Sequence, residues 1–398
     1  VNHVEDAWVA SRPRGPAAGW LVALVCLALA GSSCSRPSDP PAEIRIGLLA
    51  DHPSGVADIT LEAAELAVAK ANAGGGIEID GRKHPVKLFV EDTGDTPEGA
   101  TQATLQLINR ERVAAIVGSS FSRNAIPSGE IAERAGIPMI CPGSTHPRTT
   151  AGRRYVFRVS FIDPFQGRVM ASFARRDLGL GTAAVLYDVA EAYSRDIAAE
   201  FREVFEADGG RVVAFEPFTT GDLDFTRQLE RIADLDPEAV LLPNYPDQIV
   251  VQGRELRRLG SDAVLLGCDA WLASGLETSE GLDGSFFSVS WHRDLARSNA
   301  AAQAFITEYR EARGDEPGAI AALSYDAFGL LFEAIARARA VDPEAIRDAL
   351  ADLEEYPGVT GPITFRDRGG DPLRTSAILR IADGEVRLYR LVGPPTGS

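Results

Sequence analysis

The chain has 398 residues, 45% of them hydrophobic and 24% charged, enough apolar material for one large core or two smaller ones. A formal net charge of -17 leaves no basic excess to displace counterions from a phosphate backbone, which argues against a nucleic-acid partner. The five histidines, at 3, 52, 84, 146 and 292, form neither HExxH nor a two-Cys two-His spacing, so no zinc or other metal site is read. "GSSFS" lacks the closing Gly of a G-x-S-x-G elbow and no GxxxxGK loop occurs, so no catalytic residue and no cofactor is assigned.

In chain order, Arg12 and Arg14 precede "GWLVALVCLALA" (Gly19 to Ala30), an apolar run too short to span a bilayer and suited to the core of an export signal. "GSSCS" follows. This resembles a bacterial lipoprotein signal in which Cys34 becomes the lipidated first residue, although Gly31 stands where such signals usually carry Leu. An ordinary cleavable signal peptide is the alternative; both export the protein. The expectation is a signal peptide over 1–33 and a Pro-rich, lipid-anchored tether over 34–42. Membrane contact is then through the anchor alone. Cys141 and Cys268 each end an apolar run and are read as small buried hydrophobes.

After Glu43, short runs rich in Val, Ile and Leu alternate with amphipathic stretches of helical length. The runs are Ile44 to Ala50, Val86 to Asp92, Val113 to Gly118 and Ile137 to Cys141. They recur at Ala183 to Asp188, Arg211 to Glu216, Ala239 to Pro243 and Ala263 to Gly267. Unbroken apolar strands between helices predict parallel sheets covered on both faces. Thr96-Pro97, Asp163-Pro164 and Asp342-Pro343 each offer a cap followed by Pro at the first helical position. There are too many units for one sheet. The fold class is α/β, with two Rossmann-like lobes joined by a three-crossing hinge. Lobe 1 is expected over 43–160 and again over 292–364; lobe 2 over 161–291 and again, with the tail, over 365–398.

In open α/β sheets, ligands sit beyond the carboxyl ends of the strands. The loops there are "GSSFSRN" and "CPGSTHP" in the first lobe, and "YDVAEAYS", "PNYPDQ" and "GCDAW" in the second. The first pair offers hydroxyls and backbone N–H groups that suit an anion. The other three offer phenol rings and Asp269, which suit an ammonium. Each element has a plainer reading. Asp269 and Ser119, Ser120 and Ser122 can cap helices, Tyr193 and Tyr245 can be rim aromatics, and Trp271 can be core. His52 and His146 are read as rim residues.

These loops, in this order, resemble the Leu/Ile/Val-binding family of periplasmic solute-binding proteins, with the type I fold, from about Ile44 to about Leu391. "AAELAVAKANAGGGI", "VGSSFSRNAIPSGEIAERAGIPMICPGSTHP" and "VTGPITFRDRGGD" carry the resemblance. It implies that Ser122 holds a ligand carboxylate, that Gly143 and Thr145 contact the α-amino acid group, that Tyr193 and Tyr245 supply second-lobe aromatics, and that Asp269 pairs with the α-ammonium. Phe121, Ser144 and Trp271 complete the candidate set. Asp269 stands where the family often has Glu, and the short loop Asp51 to Asp58 lacks an aromatic that many members use. The implied function is extracytoplasmic capture of an amino acid, branched-chain or a similar aliphatic zwitterion, by a monomer at the periplasmic or cell surface. The implied partners are the permease and ATPase of an ABC importer. A ligand sensor of the same fold, or a binder of an amide, urea or aromatic acid, is the alternative; an enzyme is not expected.

Overall fold

Strands that read as unbroken apolar runs need cover on both faces, and the computed structural model, which describes residues 43–272 and 276–394, supplies it with helices. The expected signal peptide, Cys34 and the tether to residue 42 lie outside the described residues. In chain order come β1 (Ile44–Ala50), α1 (Gly55–Ala73), a hairpin of β2 (Ile77–Ile79) and β3 (Arg82–His84), and β4 (Val86–Asp92). Next are α2 (Pro97–Asn109), β5 (Ala115–Val117), α3 (Ser122–Ala135), β6 (Met139–Cys141) and β7 (Val156–Arg158). Five of these strands form a parallel sheet in the order β4-β1-β5-β6-β7.

The chain then leaves for a second sheet. Here follow α4 (Asp163–Ser172), β8 (Thr182–Asp188), α5 (Ala192–Ala207), β9 (Arg211–Phe218), α6 (Thr226–Asp234), β10 (Ala239–Leu241), α7 (Pro246–Arg258), β11 (Val264–Gly267) and β12 (Phe286–Val289). It returns to the first sheet as α8 (Ala300–Arg313), α9 (Ala319–Ala338), α10 (Pro343–Ala351) and the small hairpin β13 (Tyr356–Gly358) and β14 (Gly361–Ile363). Finally β15 (Ser376–Ala382) and β16 (Glu385–Val392) complete the second sheet, in the order β16-β15-β12-β11-β10-β8-β9. Both sheets belong to one compact unit.

Under the first sheet, α9 buries Phe328, Leu330, Leu331 and Ile335 with Ile46, Leu48, Phe157 and Phe365. Its length and hydropathy would suit a membrane span, but 67% of that stretch is buried inside the protein, which makes it a core helix. The second sheet packs Phe161, Phe165, Phe173, Phe201 and Phe205 on one face and Leu242, Leu265, Trp271 and Phe287 on the other.

Three local details depart from the sequence expectation. The crossing segment from Arg154 contributes a fifth strand, β7, to the first sheet, where four were expected; Arg158 interrupts its apolar pattern. Asp163 does not cap α4. Ile162 occupies the cap position, while Asp163 begins the helix with its carboxylate turned into the interior. Thr96 and Asp342 do cap, accepting from Gly99 N at 3.1 Å and Ala345 N at 3.0 Å. Phe365, where the second return was expected to begin, still packs on Phe157 at 5.1 Å, and the chain joins the second sheet only at Ser376.

Candidate functional site

The carboxyl ends of β1, β5 and β6 carry Asp51 and the loops 118–122 and 142–146. The hydroxyls expected to await an anion are in part already taken. Asp51, immediately after the apolar run of β1, is fully buried and accepts from Ser119 Oγ at 2.6 Å, Thr93 Oγ1 at 2.8 Å, Asn124 Nδ2 at 2.9 Å and Ser120 N at 2.9 Å. Burial raises its pKa, and these donors pull the other way. Ser119 and Ser120 therefore serve an internal acid. The signal was legible: Asp51 follows its strand as directly as Asp269 follows β11.

Ser122 and Ser144 are brought together, their hydroxyls 3.1 Å apart, and Ser144 continues to Thr149 Oγ1 at 2.7 Å. Ser122 Oγ also accepts from His146 N at 3.3 Å. The loop's carbonyls are drawn backward by Arg158, whose guanidinium is fully buried and donates to Ser144 O and His146 O, both at 2.9 Å, while Asp371 holds its Nε at 2.6 Å. Gly143 leaves room for its neighbours: a Cβ there would lie 3.1 Å from Ile320 Cδ1 and from Ser120 O. Ile320, on α9, is an apolar wall that the sequence alone did not single out.

On the other side, Asp269 and Ala270 follow β11. Tyr193, on the first turn of α5, donates its hydroxyl to Asp269 Oδ1 at 2.9 Å and accepts from Ala270 N at 3.2 Å. Asp269 is half-buried, but the protein walls around it desolvate the carboxylate and push its pKa up to about 6, against the hydrogen bonds from Tyr193 and Gln166. Tyr245, at the N-terminus of α7, stacks on Tyr193 with ring centroids 5.6 Å apart, and Phe121 meets it edge-on at 5.5 Å. That last contact joins the first-sheet loop to the second-sheet one.

Asp163 completes the cluster. Its N–H donates to Thr145 O at 2.9 Å, and Oδ1 accepts from Gln166 Nε2 at 3.0 Å, while Oδ2 has no hydrogen-bond partner among the described residues. Gln166 Oε1 in turn accepts from Asp269 N at 3.2 Å, so one glutamine holds both acids. Burial pushes the Asp163 pKa up to about 8, and the Asp269 charge acts in the same direction. Neither acid forms an ion pair with a basic side chain among the described residues.

Two placements correct the expectation. Trp271 is core, not ligand wall. It is 1% exposed, its indole donates to Leu242 O at 2.9 Å, and it lies along Phe287 at 6.0 Å. Gly267 is required beneath it, because a Cβ there would be 2.2 Å from the indole. His146 is not a rim residue: its buried ring reaches Asp196 on α5 at 2.8 Å. Cys141 and Cys268 are buried free thiols. Two surface cavities, about 340 Å³ beside Pro97 and Pro127 and about 190 Å³ between α1 and α9, lie away from the cluster. Among the described residues no group of three or more His, Cys, Asp or Glu is arranged to hold a metal ion.

Residues 43–385 match the family model for periplasmic binding proteins. The Leu/Ile/Val-binding protein homolog 3 of Brucella melitensis is 26% identical over 356 residues, 87% of this chain and 93% of that protein. The crystal structure of a leucine-binding protein LivK from Thermotoga maritima superposes with a TM-score of 0.82 at 31% identity, covering 88% of this chain and 99% of the other. The branched-chain amino acid transporter substrate-binding protein LivJ of Streptococcus pneumoniae, in complex with isoleucine, superposes with a TM-score of 0.81 at 28% identity, covering 88% and 100%.

Proposed function

Because the chain belongs to the periplasmic binding protein family, we propose that it captures a small amino acid reversibly, branched-chain or similarly aliphatic, between two lobes outside the cytoplasm. The relatives named for Leu, Ile and Val binding support the ligand class. The lobes are the two sheets with their helices, and the three chain passages, near Ser160, near Trp291 and between Phe365 and Ser376, act as the hinge. Closure occurs to the extent that the ligand binds the closed form better than the open one.

The observation that carries this reading is the acid pair Asp163 and Asp269. They share Gln166, among the described residues no cationic side chain forms an ion pair with them and one Asp163 oxygen has no hydrogen-bond partner, and phenol rings stand beside them. Such a group is completed by an ammonium. The ligand carboxylate would sit against the Ser122 and Gly143–Thr145 segment, whose carbonyls at Ser144 and His146 Arg158 holds away. Phe121, Tyr245 and Ile320 would enclose the aliphatic side chain. Delivery is to the permease and ATPase of an ABC importer, with a lipid on Cys34 keeping the protein at the membrane surface.

Thermal-shift screening of the protein lacking residues 1–33, followed by calorimetry, tests the ligand class against all amino acids, simple amides, urea and aromatic acids. Binding to the native state raises its stability by mass action. Stabilisation by leucine, isoleucine or valine is the expected result. Stabilisation by an amide or aromatic acid alone would replace the zwitterion with that ligand.

A further inference from the structure

We infer that His146 and Asp196 form a latch between the lobes that sets affinity for the captured solute without touching it. The inference rests on the two-lobe reading above. His146 follows β6 of the first sheet; Asp196 lies on α5, which follows β8 of the second. His146 Nε2 and Asp196 Oδ2 are 2.8 Å apart, and the histidine side chain is only 3% exposed. Its other ring nitrogen, Nδ1, accepts from Arg148 N at 3.1 Å. With Nδ1 an acceptor, the neutral ring carries its proton on Nε2 and donates it to Asp196. Both nitrogens are thereby occupied, so the imidazole has no polar atom left for a ligand.

A second contact reinforces the first on the same helix end. Arg123, at the start of α3, bonds Asp95 on its own side at 2.7 Å and reaches Glu191, just before α5, at 3.8 Å. Its guanidinium lies over the rings of Phe121 at 4.5 Å and Tyr245 at 4.8 Å, one ring from each side. The Arg123 contact is longer and already committed to Asp95, so the His146 bond is the sharper of the two.

The energetic logic follows from which state holds the contact. Separating the lobes leaves Asp196 to its neighbour Arg195, 2.8 Å away, and to water. Closure replaces that water at Nε2 with a charge-assisted bond that is dry on the histidine side and partly open to water on the carboxylate side, which biases the equilibrium toward the closed form before any ligand contact is counted. A ligand that binds the closed form then binds more tightly by the same factor, and leaves more slowly. One such bond corresponds to a change on the order of tenfold. Asp196 is 39% exposed, so salt should weaken the effect in part without abolishing it.

The test compares the parent with Asp196→Ala, His146→Leu and the double variant, none of which keeps a donor–acceptor pair at this contact. Closed-state population is read by interlobe fluorescence energy transfer in the ligand-free protein, and leucine dissociation is read by stopped flow. A drop in closed population and a rise in leucine dissociation rate, each roughly tenfold, are expected, with the double variant no worse than either single one because both break one bond. Unchanged closed populations in every variant, or additive losses, overturn the latch. Asp196 is partly exposed, so Asp196→Ala is expected to keep the parent's ligand-free melting temperature, and that measurement, made alongside, separates loss of the latch from misfolding. If leucine fails to bind the parent, the amino acid reading falls, while the ligand-free populations still decide the latch.

Discussion

The Tyr193 hydroxyl stands 2.9 Å from Asp269 Oδ1, joining residues 76 positions apart in sequence. The phenol orients the carboxylate and keeps it an acceptor without neutralising it. Burial and the adjacent acid hold the Tyr193 pKa well above its ordinary value, so it remains a donor at every physiological pH. Tyr193→Phe removes that donor. Leucine affinity measured by calorimetry should fall on the order of tenfold, about 1.5 kcal/mol, the size of a hydrogen bond to a charged group. Equal affinity would show that the phenol only fills space.

Removing the acids should separate binding from stability. Asp269→Ala is expected to lose about 3–5 kcal/mol of leucine binding, because the ammonium is then enclosed without its partner. Asp163→Asn should weaken binding less, since the amide keeps the bond to Gln166. Neither change should lower the ligand-free melting temperature, because each removes a desolvated acid. An Asp269→Ala protein that binds as tightly as the parent would exclude this acid from the site.

The pH dependence has opposite signs with and without ligand. The two acids titrate near 6 and 8 in the native protein, above their ordinary 3.8. Between about pH 4 and 8 the native state therefore holds protons that the unfolded chain has released. The pair's contribution to ligand-free stability is greatest at the acid end and declines as pH rises through 6 and then 8. An ammonium takes the place of the proton, so leucine affinity should increase across the same interval, with protons released on binding. Calorimetry in buffers of different ionisation enthalpy counts them; a flat affinity from pH 5 to 8.5 contradicts the acid pair's role.

Trp271 gives the complementary case. Trp271→Ala should cost about 3–5 kcal/mol of stability in urea denaturation by opening a hole beside Phe287. Leucine affinity of the folded fraction should stay within a few-fold. A large affinity loss at unchanged stability would return the indole to the ligand wall.

Much of the fold was readable because its signals are local. The apolar run Ile44 to Ala50 matches β1 residue for residue, since a strand covered on both faces needs no polar alternation, and Val86 to Asp92 likewise matches the edge strand β4. The β15–β16 hairpin is equally local in its signal. Its two-residue turn, Asp383-Gly384, takes positive φ at both positions, as an Asp-Gly turn between strands predicts. β7 was hidden because Arg158 breaks the apolar run, and nothing adjacent shows that Asp371 and the carbonyls of Ser144 and His146 satisfy that charge.

The chain's own order of residues determined the alternation of strand and helix, and with it the loops that meet at the sheet ends, including Tyr193, Tyr245 and Asp269. Periodicity and helix signals act over a few residues, so they can be read along a line. Only the tertiary structure decided which polar groups were already spent: Ser119 and Ser120 on Asp51, Ser144 on Ser122 and Thr149, His146 on Asp196. It also decided that Asp163 turns inward beside Asp269 and does not cap its helix. Hydrogen-bond satisfaction and desolvation depend on distances in space between residues far apart in sequence, and those distances exist only once the two sheets have formed.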